Sequence, residues 1–316
     1  MEEYYILAKK IISSKYNEND KYYNMILVAL TTLLYKYKDY TFLIEKIFND
    51  VDISIEDDSI RNILKKKDIH IVDFEEDEDE IDEGINTTFG ISNIGYTFIL
   101  ENSKFIKIND KPFIICNSNC SDTLLLNSFI HEFNHLIKGS LNNLVYEDLE
   151  YSIRCGIGYY RCIHNVEKDT LREEEYYDSL DEAINVIQTT EMMKNIELLQ
   201  VEEASLKKYL DSLDKDEISK DFGYDLCVEV IRPLWENDNF RSLIEDNIVE
   251  GNIIRVVSSF DNVLGEGSFE KFADYLDDLD ILGGFNKNSR KINKLQNNIR
   301  NMIKEYNSKT YYTYYK

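Results

Sequence analysis

Ser121-Asp122-Thr123-Leu124-Leu125-Leu126-Asn127-Ser128-Phe129-Ile130-His131-Glu132-Phe133-Asn134-His135-Leu136-Ile137-Lys138-Gly139 is the most regular stretch of this 316-residue chain. Ser121 and Asp122 are residues that cap a helix N-terminus, and Gly139 is one that ends a helix. Between them Leu124, Leu125, Phe129, Ile130, Leu136 and Ile137 recur at helical spacing, which predicts a helix over 121–138 with an apolar face. His131, Glu132 and His135 are set into that helix, and they include two of the chain's four histidines. Side chains four apart on a helix project from the same face, so the two imidazoles can share one metal ion. Glu132 lies on the adjacent side, within reach of a water at that metal. Two imidazoles and a carboxylate are costly to bury unless paired or metal-bound. The competing reading is an amphipathic helix whose histidines make ordinary hydrogen bonds.

Upstream, residues 3–14, 20–50 and 57–66 read as helices. Ile69 to Val72 reads as a short strand, followed by an acidic run from Asp73 to Glu83. Residues 96–100, 105–108 and 112–116 are short β-type runs, and Asn109-Asp110-Lys111 suggests a hairpin joining the last two. Gly156-Ile157-Gly158 centres a second expected hairpin over 150–163. From 179 onward the chain reads as helical, with breaks at Asn237 to Phe240 and Gly265 to Ser268 and a loose Tyr-rich tail from Lys309. The expected architecture is α+β: mainly helical, with a small mixed or antiparallel sheet beside the 121–138 helix. Three regions are expected: a helical region over 1–68, the sheet and its helix over 69–178, and a helical lobe over 179–316.

Composition narrows the function classes. Sixty acidic against 36 basic side chains give a formal charge of −24, the wrong sign for a phosphate-binding surface or an anionic membrane. A hydrophobic share of 43% is enough to build a core, so a disordered chain is excluded. The most apolar run, Met25 to Leu34, is too short to span a bilayer, and the N-terminus lacks the features of a signal peptide. Five cysteines, an odd number, read as free thiols. A cytoplasmic protein with neither nucleic-acid nor membrane partners is expected. The acidic run lacks the D-x-[DN]-x-[DN]-G pattern of a calcium loop and reads as solvated. Cys116/Cys120 and Cys155/Cys162 do not have zinc-knuckle spacing.

H-E-x-x-H is the zinc pattern in which the glutamate takes a proton from a zinc-activated water. A catalytic site of this kind needs a third ligand. Position 141, where an extended motif would place a histidine, is Leu141. His164 stands in a polar, turn-like stretch. Glu182 lies at the start of the helical, apolar segment Leu180-Asp181-Glu182-Ala183-Ile184-Asn185-Val186-Ile187, in its first turn, with Glu191 as its rival two turns on. The pair of segments around His131–His135 and Glu182 resembles the gluzincin metallopeptidases. The resemblance implies a zincin-like fold and one zinc ion per chain, with His131, His135 and Glu182 as ligands and Glu132 as general base. It also implies a peptide or protein substrate, paired to an edge strand expected within 96–116, with Phe113 to Cys116 nearest the motif. An oxyanion donor is expected downstream, with Tyr224 and Tyr160 ranked ahead of Tyr159 and Arg154. One position departs from the thermolysin-like pattern. Where an aspartate would support the first histidine stands Val186, which leaves Asn185 or Asp181 for that task. Two alternatives remain: a zincin-fold binding or effector protein without turnover, and a metal hydrolase of a non-peptide substrate.

Overall fold

The computed structural model describes residues 1–67, 90–93, 97–101, 104–108, 111–146, 149–155, 157–248, 253–284 and 289–311. The predicted strand Ile69–Val72 and the acidic run that follows it lie outside the described residues. The chain divides into two compact units, one formed by 1–137 and 188–220, the other by 138–187 and 221–316.

The first unit opens with α1 (Glu2–Ile12), α2 (Tyr23–Lys36) and α3 (Thr41–Asp50). Helix α2 is buried along almost its whole length. Thr31 and Thr32 do not interrupt it, because their hydroxyls donate to Leu27 O (2.7 Å) and Ala29 O (2.8 Å) within the helix. Strand β1 (Asp52–Glu56) and helix α4 (Ile60–Lys66, capped by Ser59) follow. Next come β2 (Gly90–Asn93), β3 (Thr97–Glu101), β4 (Lys104–Ile108) and β5 (Phe113–Asn117).

A three-stranded mixed sheet runs β1-β5-β2, with β5 central, parallel to β1 and antiparallel to β2. Phe113 to Cys116 are all buried, the continuous apolar run expected of a central strand. Ile60, Ile63 and Leu64 of α4 pack on Phe113 and Ile115. The hairpin predicted between 105–108 and 112–116 is not formed, since β4 pairs with β3 in a separate ribbon. The entry to β5 is engaged elsewhere: Asp52 N–H donates to Pro112 O (2.7 Å), starting the parallel ladder with β1. Asp52-Ile-Ser-Ile-Glu56 is a period-two pattern that the helical reading of the neighbouring stretches passed over.

Helix α5 (Asp122–Lys138) leads out of this sheet, and its last residue, Lys138, opens the second unit. There β6 (Ser140–Tyr146), β7 (Leu149–Cys155), β8 (Tyr159–Asn165) and β9 (Thr170–Tyr176) form an antiparallel meander. The expected hairpin is its middle pair, with Cys155 opposite Tyr159. Helix α6 (Asp178–Lys194) belongs to the second unit up to Ile187 and to the first from Gln188. The first unit ends with α7 (Ala204–Ser212) and α8 (Lys215–Ile218).

The second unit closes with α9 (Asp225–Trp235), α10 (Asp238–Ile248), α11 (Ile253–Leu264), α12 (Ser268–Gly284) and α13 (Ser289–Tyr311). The break at Gly265 falls where expected, whereas the one predicted over Asn237 to Phe240 is confined to Glu236 and Asn237, since α10 already begins at Asp238. Asn237 Oδ1 accepts from the N–H groups of Asn239 and Phe240 to start α10. Gly265 and Gly267 take φ values of 110° and 76° between α11 and α12. The core of this unit includes Leu180, Ala183, Ile184 and Ile187 of α6, with Trp235, Phe240, Phe260, Phe269, Phe272 and Tyr306. The overall class is therefore α+β, mainly helical. Among the described residues no helix is long and apolar enough to cross a membrane, and Cys116, Cys120 and Cys227 are free thiols.

Candidate metal centre

Ser121 starts α5 as predicted, its Oγ accepting the N–H of Leu124 (3.1 Å) while donating to Glu217 Oε2 (2.8 Å). Leu125, Leu126, Phe129, Ile130, Phe133, Leu136 and Ile137 are buried and anchor one side of the helix. A second set of buried or half-buried positions is polar: Asn127, His131, Asn134, His135 and Lys138. Helix α6 has the same division, with Leu180, Ala183, Ile184 and Ile187 apolar and Asp181, Asn185, Gln188 and Thr189 polar and buried. Buried polar stripes of this kind need partners.

Two of those partnerships join the helices. Asn134 Nδ2 donates to Gln188 Oε1 (3.2 Å) within the first unit, and Asn134 Oδ1 accepts from the Tyr37 hydroxyl that follows α2. Lys138 Nζ donates to Asp181 Oδ1 (3.3 Å) within the second, with side chains only 2% and 9% exposed. Position 134 thus meets 188 within the first unit, and position 138 meets 181 within the second.

His131 and His135 stand one turn apart with their Nε2 atoms 3.1 Å from each other and their rings inclined at 75°. Glu182 joins them: one ligand atom from each of the three residues lies within 4.8 Å of the others, a group able to hold a metal ion. Two nitrogens about 2.1 Å from a shared tetrahedral centre stand about 3.4 Å apart, so the imidazole pair already has nearly the required spacing. Neutral imidazoles and a carboxylate are donors that zinc accepts. Because α6 begins at Asp178, Glu182 lies in its second turn and not in the first as predicted, and it is half-buried.

Glu132 is turned toward the mixed sheet. A β-carbon placed on Gly90 of β2 would lie 2.8 Å from Glu132 Cγ and 3.1 Å from its Oε1. Cys116, which pairs with Gly90 across the ladder, is fully buried, and burial together with the Glu132 charge pushes its thiol well above the usual range. The edge strand beside Glu132 is therefore β2. Phe113 to Cys116, the expected edge, are central because β1 covers their other side.

Two carboxylates of α12, Asp277 and Asp280, interact with the first turns of α6 within the second unit. Asp277 Oδ1 accepts the Ser179 N–H (3.1 Å) at the start of the helix. Asp280 is pushed above the usual carboxylate range by burial and by the charges of Asp277 and Glu182.

The other sequence candidates are distributed as follows. Glu191 forms an ion pair with Lys36 (3.6 Å). His164 is buried beside Asp169, with 3.5 Å between His164 Nε2 and Asp169 Oδ1. Asp181, offered as a support for a histidine, bonds Lys138. Val186 is buried in the core of the second unit. Tyr224 precedes α9 in the left-handed region, φ 50°, and packs half-buried on that same core. Tyr160, Tyr159 and Arg154 lie on β8 and β7, and their side chains are outside the described residues. Gly90 and Lys138 were missed by sequence reasoning. Lys138, seven residues after His131, was visible as a charge on the histidine face of the helix. Gly90 carries no local signal. Compared with known families, curated proteins and solved structures, the chain matches no family model, no curated protein and no solved structure.

Proposed function

We propose that this chain is a zinc-dependent metallopeptidase of the gluzincin kind. His131, His135 and Glu182 hold one zinc ion, and the observation that carries the reading is their convergence across α5 and α6. When bound, zinc supplies Lewis acidity and brings the pKa of a coordinated water toward 7. Glu132, one residue from the first ligand, takes the proton of the attacking water and later delivers it to the departing amine. Tyr224 and Tyr160 are the proposed donors to the oxyanion that develops at the scissile carbonyl. An extended peptide adds to the outer edge of β2, which brings its backbone alongside Glu132. The excess of negative charge fits a peptide substrate better than a polyanion.

The test has two arms. Purified protein is expected to carry about one zinc per chain by elemental analysis, and Glu132→Gln to keep that zinc while losing hydrolysis of a peptide library. Protein without stoichiometric metal, or a Glu132→Gln variant that cleaves like wild type, would sink the proposal. The apolar Val186 in the place of a supporting carboxylate favours a second reading, a metal-binding protein without turnover. Stoichiometric metal with no cleavage by wild type selects that reading.

A further inference from the structure

We infer that Gly90 is a positioning residue for Glu132: the bare backbone of the edge strand β2 is the surface against which this carboxylate is set. The functional part of this inference rests on the reading of Glu132 as general base, whereas the packing part does not.

A glycine in a strand is usually explained by backbone conformation, but Gly90 is not among the glycines with positive φ, which are Gly223, Gly265 and Gly267. Its backbone is one that any residue adopts. What excludes a side chain is Glu132. The three atoms nearest to a β-carbon at this position are Glu132 Cγ at 2.8 Å, Oε1 at 3.1 Å and Cδ at 3.4 Å. Glu132 Cγ belongs to the stem of the side chain and not to its free end, so the clash is not relieved by swinging the carboxylate alone; the rotamer at χ1 has to change.

Neither backbone is free to retreat. Gly90 is held in the ladder opposite Cys116, and β5 is fixed on its other side by β1. Helix α5 is locked by buried neighbours of Glu132, Phe133 and Asn134, both with no exposed surface. A methyl group at position 90 therefore displaces the glutamate. The metal ligands are not among the atoms nearest to that methyl, so Gly90→Ala separates the placement of the base from the capture of the metal.

The test begins with a double-variant cycle on the metal-free full-length protein, read as the urea midpoint. Gly90→Ala is expected to lower the midpoint in the wild-type background. In the Glu132→Ala background, where the stem that clashes is gone, the same change is expected to leave the midpoint unchanged or raise it, since alanine is the better strand residue. Equal effects in the two backgrounds overturn the inference. Should Gly90→Ala fail to fold, recovery of folded protein in the double variant supports it, and failure to recover overturns it.

The second arm compares zinc affinity and peptide hydrolysis. Gly90→Ala is expected to hold zinc as tightly as wild type and keep KM, while kcat falls roughly 10- to 100-fold, the scale of a misplacement of about 1 Å. Unchanged kcat overturns the positioning role and leaves the peptidase reading intact. A wild-type protein that cleaves nothing overturns the peptidase reading, and the urea cycle still decides whether Gly90 places Glu132.

Discussion

His131, Glu132 and His135 occupy one turn of α5, and each offers a different handle on the proposed chemistry. The ligand set is tested by removing a charge at a time. Glu182→Gln is expected to weaken zinc binding by more than the roughly 10- to 100-fold seen when an outer partner of a ligand is lost. Glu191→Gln, which removes a charge paired with Lys36, is expected to leave it unchanged; a chelator competition assay distinguishes the two. The thiols near the motif give a second check. Cys116 is completely buried and its thiol is pushed well above the usual range, so it is expected to resist alkylation in the folded protein at pH 8. Cys120 is partly exposed and is pushed up to about 11 by burial and by Asp122 and Glu217. Its alkylation, followed by mass spectrometry, is expected to accelerate with each unit of pH until that value is reached.

At the scale of elements, the helix pair is held by buried polar contacts, and these behave differently from apolar packing. Removing Lys138 takes a buried cation away from the buried carboxylate of Asp181, whose oxygen it contacts at 3.3 Å. Lys138→Met is therefore expected to destabilise the protein by about 3–5 kcal/mol in urea unfolding, and Lys138→Met with Asp181→Leu to recover most of that loss. The entry to α6 adds a dependence on pH. Burial raises Asp277 above its ordinary 3.8, only partly offset by the hydrogen bonds from Ser179, and the charges of Asp274 and Asp278 add to the rise. A carboxyl with a raised folded pKa binds its proton more tightly in the native state. Its contribution is fully present below 3.8 and is lost as pH climbs through the raised value. Asp277→Asn keeps an acceptor for the Ser179 N–H without the charge, so its melting temperature is expected to decline less than that of wild type across this window.

For the whole molecule, a metal shared by α5 and α6 would couple binding to folding. Zinc at about 100 times its Kd is expected to add about 2.7 kcal/mol of stability, and a chelator to remove it, as read by calorimetry. The formal charge of −24 is also a property of the whole chain, although some carboxylates, such as Asp181, are buried. The features legible in the amino-acid sequence are those that depend on neighbours along the chain. The helix of H-E-x-x-H, its cap at Ser121, the breaks near Asn237 and Gly265 and the α+β class all follow from periodicity and local hydrogen bonding. The pairing of β5 with β1 and β2, and of β4 with β3, did not, because strand partners are chosen by contacts between distant segments and several short apolar runs are chemically interchangeable. Gly90 against Glu132 and Lys138 against Asp181 belong to the same class. The sequence alone determined which side chains stand ready as candidate ligands on α5, since residue type and helical spacing are local. Only the tertiary structure decided which backbone lies against Glu132 and which buried charge answers Lys138, because those contacts exist only once the segments have packed.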